Sequence, residues 1–304
     1  MRAAFLVPVW ILWFTPSQSV AGRVQGEKAR VSTRNAFRGN ATVQQLGIIC
    51  DHLESLAPVR LSAEWDNVGL LAGDRSAEVR RIMTCLTVTA DTVAEAVNRD
   101  ADLIVVHHPL PFRPLNRLTD DTPEGRYLLK LLAGRIHIFS PHTAWDSAAG
   151  GINQILAEGL GLVNIAPLTP DEIDPTVGEG RYGALAAGGK VNDLVNRVKE
   201  FLNVQQIRLV GDPRREINRV AVGCGSAASF MAAAKDRDCK LLVTGEATFH
   251  HCLAAEASGI VLLLAGHFAS ERFSMQILAE SLAMQFKELE VWCSETERDP
   301  IQLI

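Results

Sequence analysis

Apolar and polar positions along the chain alternate between two rhythms. From Thr42 to Leu56, residues Val43, Leu46, Ile49, Cys50 and Leu53 recur at helical spacing and predict an amphipathic helix. Continuous apolar runs then predict buried strands over 81–88 and 101–106. Between them, Asp91 to Asn98 reads as a helix with Thr89 or Asp91 near its N-cap. This strand–helix–strand order argues for an α/β sheet. Further on, Gly150-Gly151 leads into a helix through Leu156, and Val191 to Leu202 forms another. Strand pieces follow at Gln206 to Leu209 and Arg219 to Val222. Residues Pro167 to Gly180 are rich in Pro, Gly and acidic side chains and read as a linker. The pattern predicts two interlinked α/β domains. The first comprises 42–167 and 238–304, and the second, 168–237, is inserted into it. The chain is expected to return to the first domain at Lys240-Leu241-Leu242-Val243.

Three apolar strands run into polar turns that carry unusual chemistry. Leu103 to Val106 ends in His107-His108-Pro109, and a buried strand has no use for two imidazoles unless something pairs with them. The X-Pro step keeps His108 extended and stops the ladder. Successive strand residues point to opposite sides. The pair therefore serves one metal only if the backbone twists, or it serves two neighbouring metals, one each. Ile136 to Ser140 leads to His142 and Asp146, four residues apart and on one face of a helical turn. Ile260 to Leu264 leads through Gly266 to His267 and Glu271, again four apart. Strand ends in α/β sheets are where ligands gather. The six residues His107, His108, His142, Asp146, His267 and Glu271 exceed the four ligands of a structural zinc. They suit Zn, Fe, Mn, Ni or Co, either as two ions or as one ion with an open position.

Other motifs carry weaker signals. The turn-rich block Glu64 to Gly73 reads either as a hairpin or as a loop beside the metals. Val220 to Ala227 is a strand entering a glycine turn. Its N–H groups are able to cradle a phosphate, but it lacks the Gly-Lys-Ser/Thr of a P-loop, and a tight turn is the preferred reading. His250 and His251 read as helix residues, and His52 and His137 as structural ones.

At this point the chain resembles a known family, the dinuclear metal-centre proteins named as homologues of GTP cyclohydrolase 1 type 2, whose founding name refers to a yeast interacting factor. The resemblance spans roughly Val43 to Glu297. It rests on five blocks in order: Ser62 to Leu70, Leu103 to Pro109, His142 to Asp146, Val243 to Glu246, and Gly266 to Glu271. It implies two divalent metal ions held by His107, His108, Asp146, His267 and Glu271. It further implies that His142 lines the site and that Glu246 lies close to it. A metal-dependent hydrolase of the cyclohydrolase type follows as an expectation, with His142 or Glu246 moving protons and a nucleotide or other small molecule as substrate. A non-enzymatic role in metal storage or delivery, or as a metal-stabilised partner-binding ring, is the alternative. The resemblance also implies a homo-oligomer, a ring of six.

Composition narrows the setting. The 304 residues are 47% hydrophobic and 21% charged, with a formal net charge of -5. No Lys/Arg-rich run is present to track a phosphate backbone, so nucleic acid is a poor default partner. The six cysteines show no CxxC pairing and read as buried free thiols of a reducing compartment. The first 41 residues point elsewhere. Arg2 precedes an apolar run from Ala3 to Phe14, and Ser19-Val20-Ala21 resembles a cleavage site. Segment 1–41 is either an export signal or the product of a misplaced start. A start read as Val31 or Val43 places the protein in the cytoplasm.

Overall fold

The computed structural model describes residues 42–302, so the segment 1–41 with its signal-like run lies outside the described residues. Helix α1 (Leu46–Leu56) buries Leu46, Ile49, Cys50 and Leu53, the stripe expected from the sequence. It starts later than Thr42 because Gln44–Gln45 is taken up as a short strand against Glu78–Val79. The chain then lays down β1 (Gly69–Ala72), β2 (Arg81–Cys85), β3 (Leu103–Val106) and β4 (His137–Ser140). Next come β5 (Leu162–Ala166), β6 (Arg181–Lys190), β7 (Arg208–Val210) and β8 (Glu216–Gly223). The last strands are β9 (Leu241–Thr244), β10 (Val261–Leu264) and β11 (Glu290–Cys293). Around them pack α2 (Ala90–Asn98), α3 (Pro123–Ala133), α4 (His142–Ser147), α5 (Ile152–Gly159) and α6 (Val191–Leu202). Helices α7 (Met231–Asp236), α8 (Phe249–Ser258) and α9 (His267–Gln285) complete the set. Thr89 caps α2, its hydroxyl accepting from the Thr92 N–H while the Thr92 hydroxyl receives the Thr89 N–H.

Two sheets organise the molecule into a mixed α/β fold. The five-stranded sheet runs β11–β2–β3–β4–β1, parallel except for the antiparallel edge strand β1. Strand alternation sends Leu103 and Val105 to one face, where α1 and α9 cover them. It sends Ile104 and Val106 to the other, under α2 and α3. The six-stranded sheet runs β7–β10–β9–β8–β6–β5, with a parallel centre of β8, β9 and β10. Its Val222, Val243 and Leu263 pack against α5 and α6, while Ala221, Leu242 and Leu262 face α7 and α8. Strand β9, where the sequence returns the chain to the first domain, pairs here with β8 through Val222 opposite Val243. Its apolar run extends that parallel ladder, and the chain rejoins the five-stranded sheet only with α9 and β11. The stretch 167–180, expected as a linker, carries a small antiparallel pair, Thr169–Pro170 with Gly178–Glu179. Among the described residues no helix is long and apolar enough to cross a membrane.

Candidate metal centre

Three strand ends deliver the site. Strand β3 ends in His107 and His108, β4 runs through Pro141 into α4, and β10 turns at Gly266 into α9. Gly266 has φ +98, a conformation that glycine adopts without a Cβ penalty. His142, at the start of α4, has φ +24, which L-residues rarely hold and which clusters at functional sites. The β3 and β4 ends belong to one sheet and the β10 end to the other, and their side chains meet. His108 Nε2 and His267 Nε2 lie 3.4 Å apart, and each is 3.1 Å from Glu271 Oε2. His107 Nε2 lies on the other side of the same carboxylate, 3.9 Å from Glu271 Oε1 and 3.7 Å from Asp146 Oδ1. The His142 ring centroid is 5.0 Å from that of His107 and 5.7 Å from that of His108. The structure thus brings together all six residues singled out at the strand ends. Two overlapping groups, His107–His108–His142 and His108–His267–Glu271, offer ligand atoms within 4.8 Å of one another and are able to hold a metal ion.

A second layer aims these side chains. His142 Nδ1–H donates to Asp66 Oδ1 at 2.7 Å, and the Thr143 N–H and hydroxyl donate to Asp66 Oδ2. His267 Nδ1–H donates to Glu246 Oε1 at 3.0 Å, and His108 Nδ1 pairs with the Thr87 hydroxyl at 2.8 Å. Each of these partners occupies Nδ1 and leaves Nε2 for the cluster, the arrangement that orients metal-binding histidines. Asp146 is held from behind, because the Cys224 thiol donates to its Oδ1 at 3.3 Å. The Arg181 guanidinium, fully buried, donates to the carbonyls of Ser147 and Ala148 at the end of α4 and to those of Gly178 and Gly180. It thereby ties α4 to the 178–180 turn. Burial alone pulls Arg181 down to about 10, and it stays charged at neutral pH.

The glycine turn after β8 has a packing role rather than a phosphate-binding one. The Gly225 N–H donates to the Ser270 hydroxyl and the Ala227 N–H to Thr244 Oγ1, so these donors are already taken. Gly225 has φ +58, and a Cβ there would lie 2.1 Å from Glu271 Oε1. Only glycine lets this loop close on the carboxylate.

Charge and burial fit a cation. Burial drives Asp146 up to about 7, with the neighbouring Glu271 adding to the rise. Glu271 is also desolvated, yet hydrogen bonds from His108 and His267 hold its carboxyl well below the usual range. The hydrogen bond to Glu271 outweighs burial at His267 and, helped by Glu246, lifts it to about 9. His107 is fully buried, and desolvation pushes it well below its ordinary value. Neither ring nitrogen of His107 has a hydrogen-bond partner. A buried, neutral imidazole without a partner is costly, and a metal ion is what would satisfy its Nε2. Nitrogen and oxygen donors at this density suit a first-row divalent ion.

Asp66 and Cys224 join the site from positions that the sequence pattern does not mark, while four other histidines lie apart from it or serve packing. Asp66 has no signal of its own in the sequence, because nothing local shows that a turn carboxylate reaches a histidine 76 positions away. Cys224 was read only as a buried thiol. His250 is exposed and His251 bonds Thr248, both on α8 outside the cluster. His52 packs edge-on against Phe286, and His137 opens β4.

A sequence profile of the Duf34/NIF3 (NGG1p interacting factor 3) family matches residues 44–300. The chain belongs to the NIF3 family. It is 33% identical over 261 residues to a Clostridium perfringens protein named GTP cyclohydrolase 1 type 2 homolog, covering 86% of this chain and all of that one. It is also 33% identical to NIF3-like protein 1 of Drosophila melanogaster, over 88% of this chain and 90% of that one. Among solved structures, the Staphylococcus aureus hypothetical protein SA1388 superposes with a TM-score of 0.79 at 25% identity, covering 86% of this chain and 99% of its own. A Bacillus cereus protein related to NIF3 gives 0.79 at 22% identity, covering 88% and 100%, a likeness of fold.

Proposed function

We propose that this NIF3-family chain binds two divalent metal ions and acts as a metal-dependent hydrolase. The observation that carries this reading is the placement of Glu271. Its Oε2 faces His108 and His267, while its Oε1 faces His107 and Asp146. Glu271, with one carboxylate oxygen toward each of two donor sets, would help to hold both ions. His107 and Asp146 would hold one, His108 and His267 the other. When bound, such a pair supplies Lewis-acid polarisation and a water of lowered pKa.

The chain's own residues then divide the remaining work. Asp66 fixes the tautomer of His142 by accepting from Nδ1 and leaves Nε2 to take or return a proton in the cavity. Glu246 accepts from His267 Nδ1 and raises the basicity of that ring, a role in orientation more than in proton transfer. The Cys224 thiol steadies Asp146. The cyclohydrolase names of relatives suggest attack on a purine ring carbon with release of formate, and this chain is assigned that reaction class as a hypothesis.

Elemental analysis of the full chain beside Glu271→Ala and His107→Ala tests the reading. About two ions per native chain are expected, with most of the metal lost in both variants. Metal-loaded protein should release formate from GTP or a related purine, and His142→Ala should lower turnover while retaining metal. Native protein that binds no first-row ion would end the metal reading. Full metal loading with no hydrolysis across purine substrates would favour storage or delivery instead.

A further inference from the structure

Beside the cluster opens a cavity of about 620 Å³, large enough for a drug-sized molecule. One wall is aromatic. Trp65, 62% exposed, meets Phe112 edge to face with ring centroids 6.0 Å apart. Both rings stand edge-on to His142, at 6.1 and 6.3 Å. An indole this exposed, anchored beside a buried polar cluster, leaves a large π-face open to a ligand. Ser226, Ser229 and Glu179 also line the cavity. Among the described residues no Lys or Arg lines the cavity, and its charged side chains other than histidine are the carboxylates Asp146, Glu179 and Glu271. Arg113 packs on Phe112, with its guanidinium carbon 5.3 Å from the ring centroid, and is not among the lining residues.

We infer that the cavity takes a planar nitrogen heterocycle, stacked on Trp65 beside the metal cluster. Stacking is tolerant of ring identity and supplies much of the affinity. Glu179 and the two serines supply acceptor and donor groups of the kind that N–H groups and ring nitrogens of a heterocycle pair with. This inference rests on the proposed hydrolase reading for its reaction but not for its binding site.

Calorimetry with the metal-loaded full chain tests it, using guanosine, cytidine, pterin, nicotinamide and GTP as probes. At least one of these rings should bind. Trp65→Ala should weaken that ring by about tenfold or more, and Trp65→Phe should largely restore it. Metal content of both variants, measured alongside, should equal the native value. Equal binding by Trp65→Ala and native protein would overturn the stack. So would failure of every ring to bind. Ring binding by protein that takes up no metal would sink the proposed function and leave this site standing. Metal uptake without ring binding would do the reverse.

Discussion

The residue that best separates structure from chemistry is His107. It is fully buried and both its ring nitrogens lack partners, so it costs folding free energy unless something coordinates it. Leucine at this position would remove the polar atoms from the core and leave a comparable volume. Chelator-treated His107→Leu is expected to melt at or above the temperature of chelator-treated native protein. Added zinc or manganese should raise the native melting temperature and move the variant far less. A variant that gains as much as native on metal addition would show that His107 is a core residue only. At this scale the sequence was highly informative. An imidazole pair closing an apolar strand is too expensive to be incidental, and His142 and His267 stood at equivalent strand ends. Asp66 and Cys224 could not be found in the same way, because carboxylates in turns and thiols in apolar surroundings are common in any chain.

Elements were legible where local periodicity decided them. Helix α6 has the bounds expected from its apolar stripe, and the Thr89 cap of α2 follows from its side-chain chemistry. Pairing partners were less legible, since the apolar run of β9 suits any parallel sheet, and only tertiary contact places it beside β8. A similar long-range tie makes the C-terminal segment part of the five-stranded layer. Glu95 on α2 accepts from Trp292 Nε1, the Ser294 and Thr296 hydroxyls and the N–H groups of Glu295 and Thr296. Burial alone would raise this carboxyl, but those donors outweigh it and hold Glu95 below the ordinary glutamate range. Its stabilisation is therefore present above the unfolded-state pKa and lost as pH falls through the folded value. Glu95→Gln should cost about 1–3 kcal/mol at neutral pH by urea denaturation. The gap between native and variant should shrink as the solution is acidified through the carboxylate range. A gap that does not change with pH would mean that the carboxylate charge contributes nothing.

For the whole molecule, the site lies where two sheets meet, not within one of them. His107, His108 and Asp146 hang from the five-stranded sheet, while His267 and Glu271 begin the helix that leaves the six-stranded one. Helix α9 then runs under the five-stranded sheet, with Met275, Leu278 and Leu282 in its core, and Phe273 packs back against Phe201 of α6. Metal binding should therefore protect backbone amides at the ends of β3 and of β10 together in hydrogen exchange. Saturation at about a hundred times Kd should add about 2.7 kcal/mol of stability. Protection confined to one sheet would show that the ions are held by that sheet alone.

The shared helix also sets a clock. An ion gripped from two sheets leaves only when its donors detach one after another or when the sheets part along α9. Its residence time should then follow the opening rate of the protein more closely than the chemistry of any single ligand. Isotope exchange of bound metal would accordingly quicken under mild denaturant, well before the fold is lost.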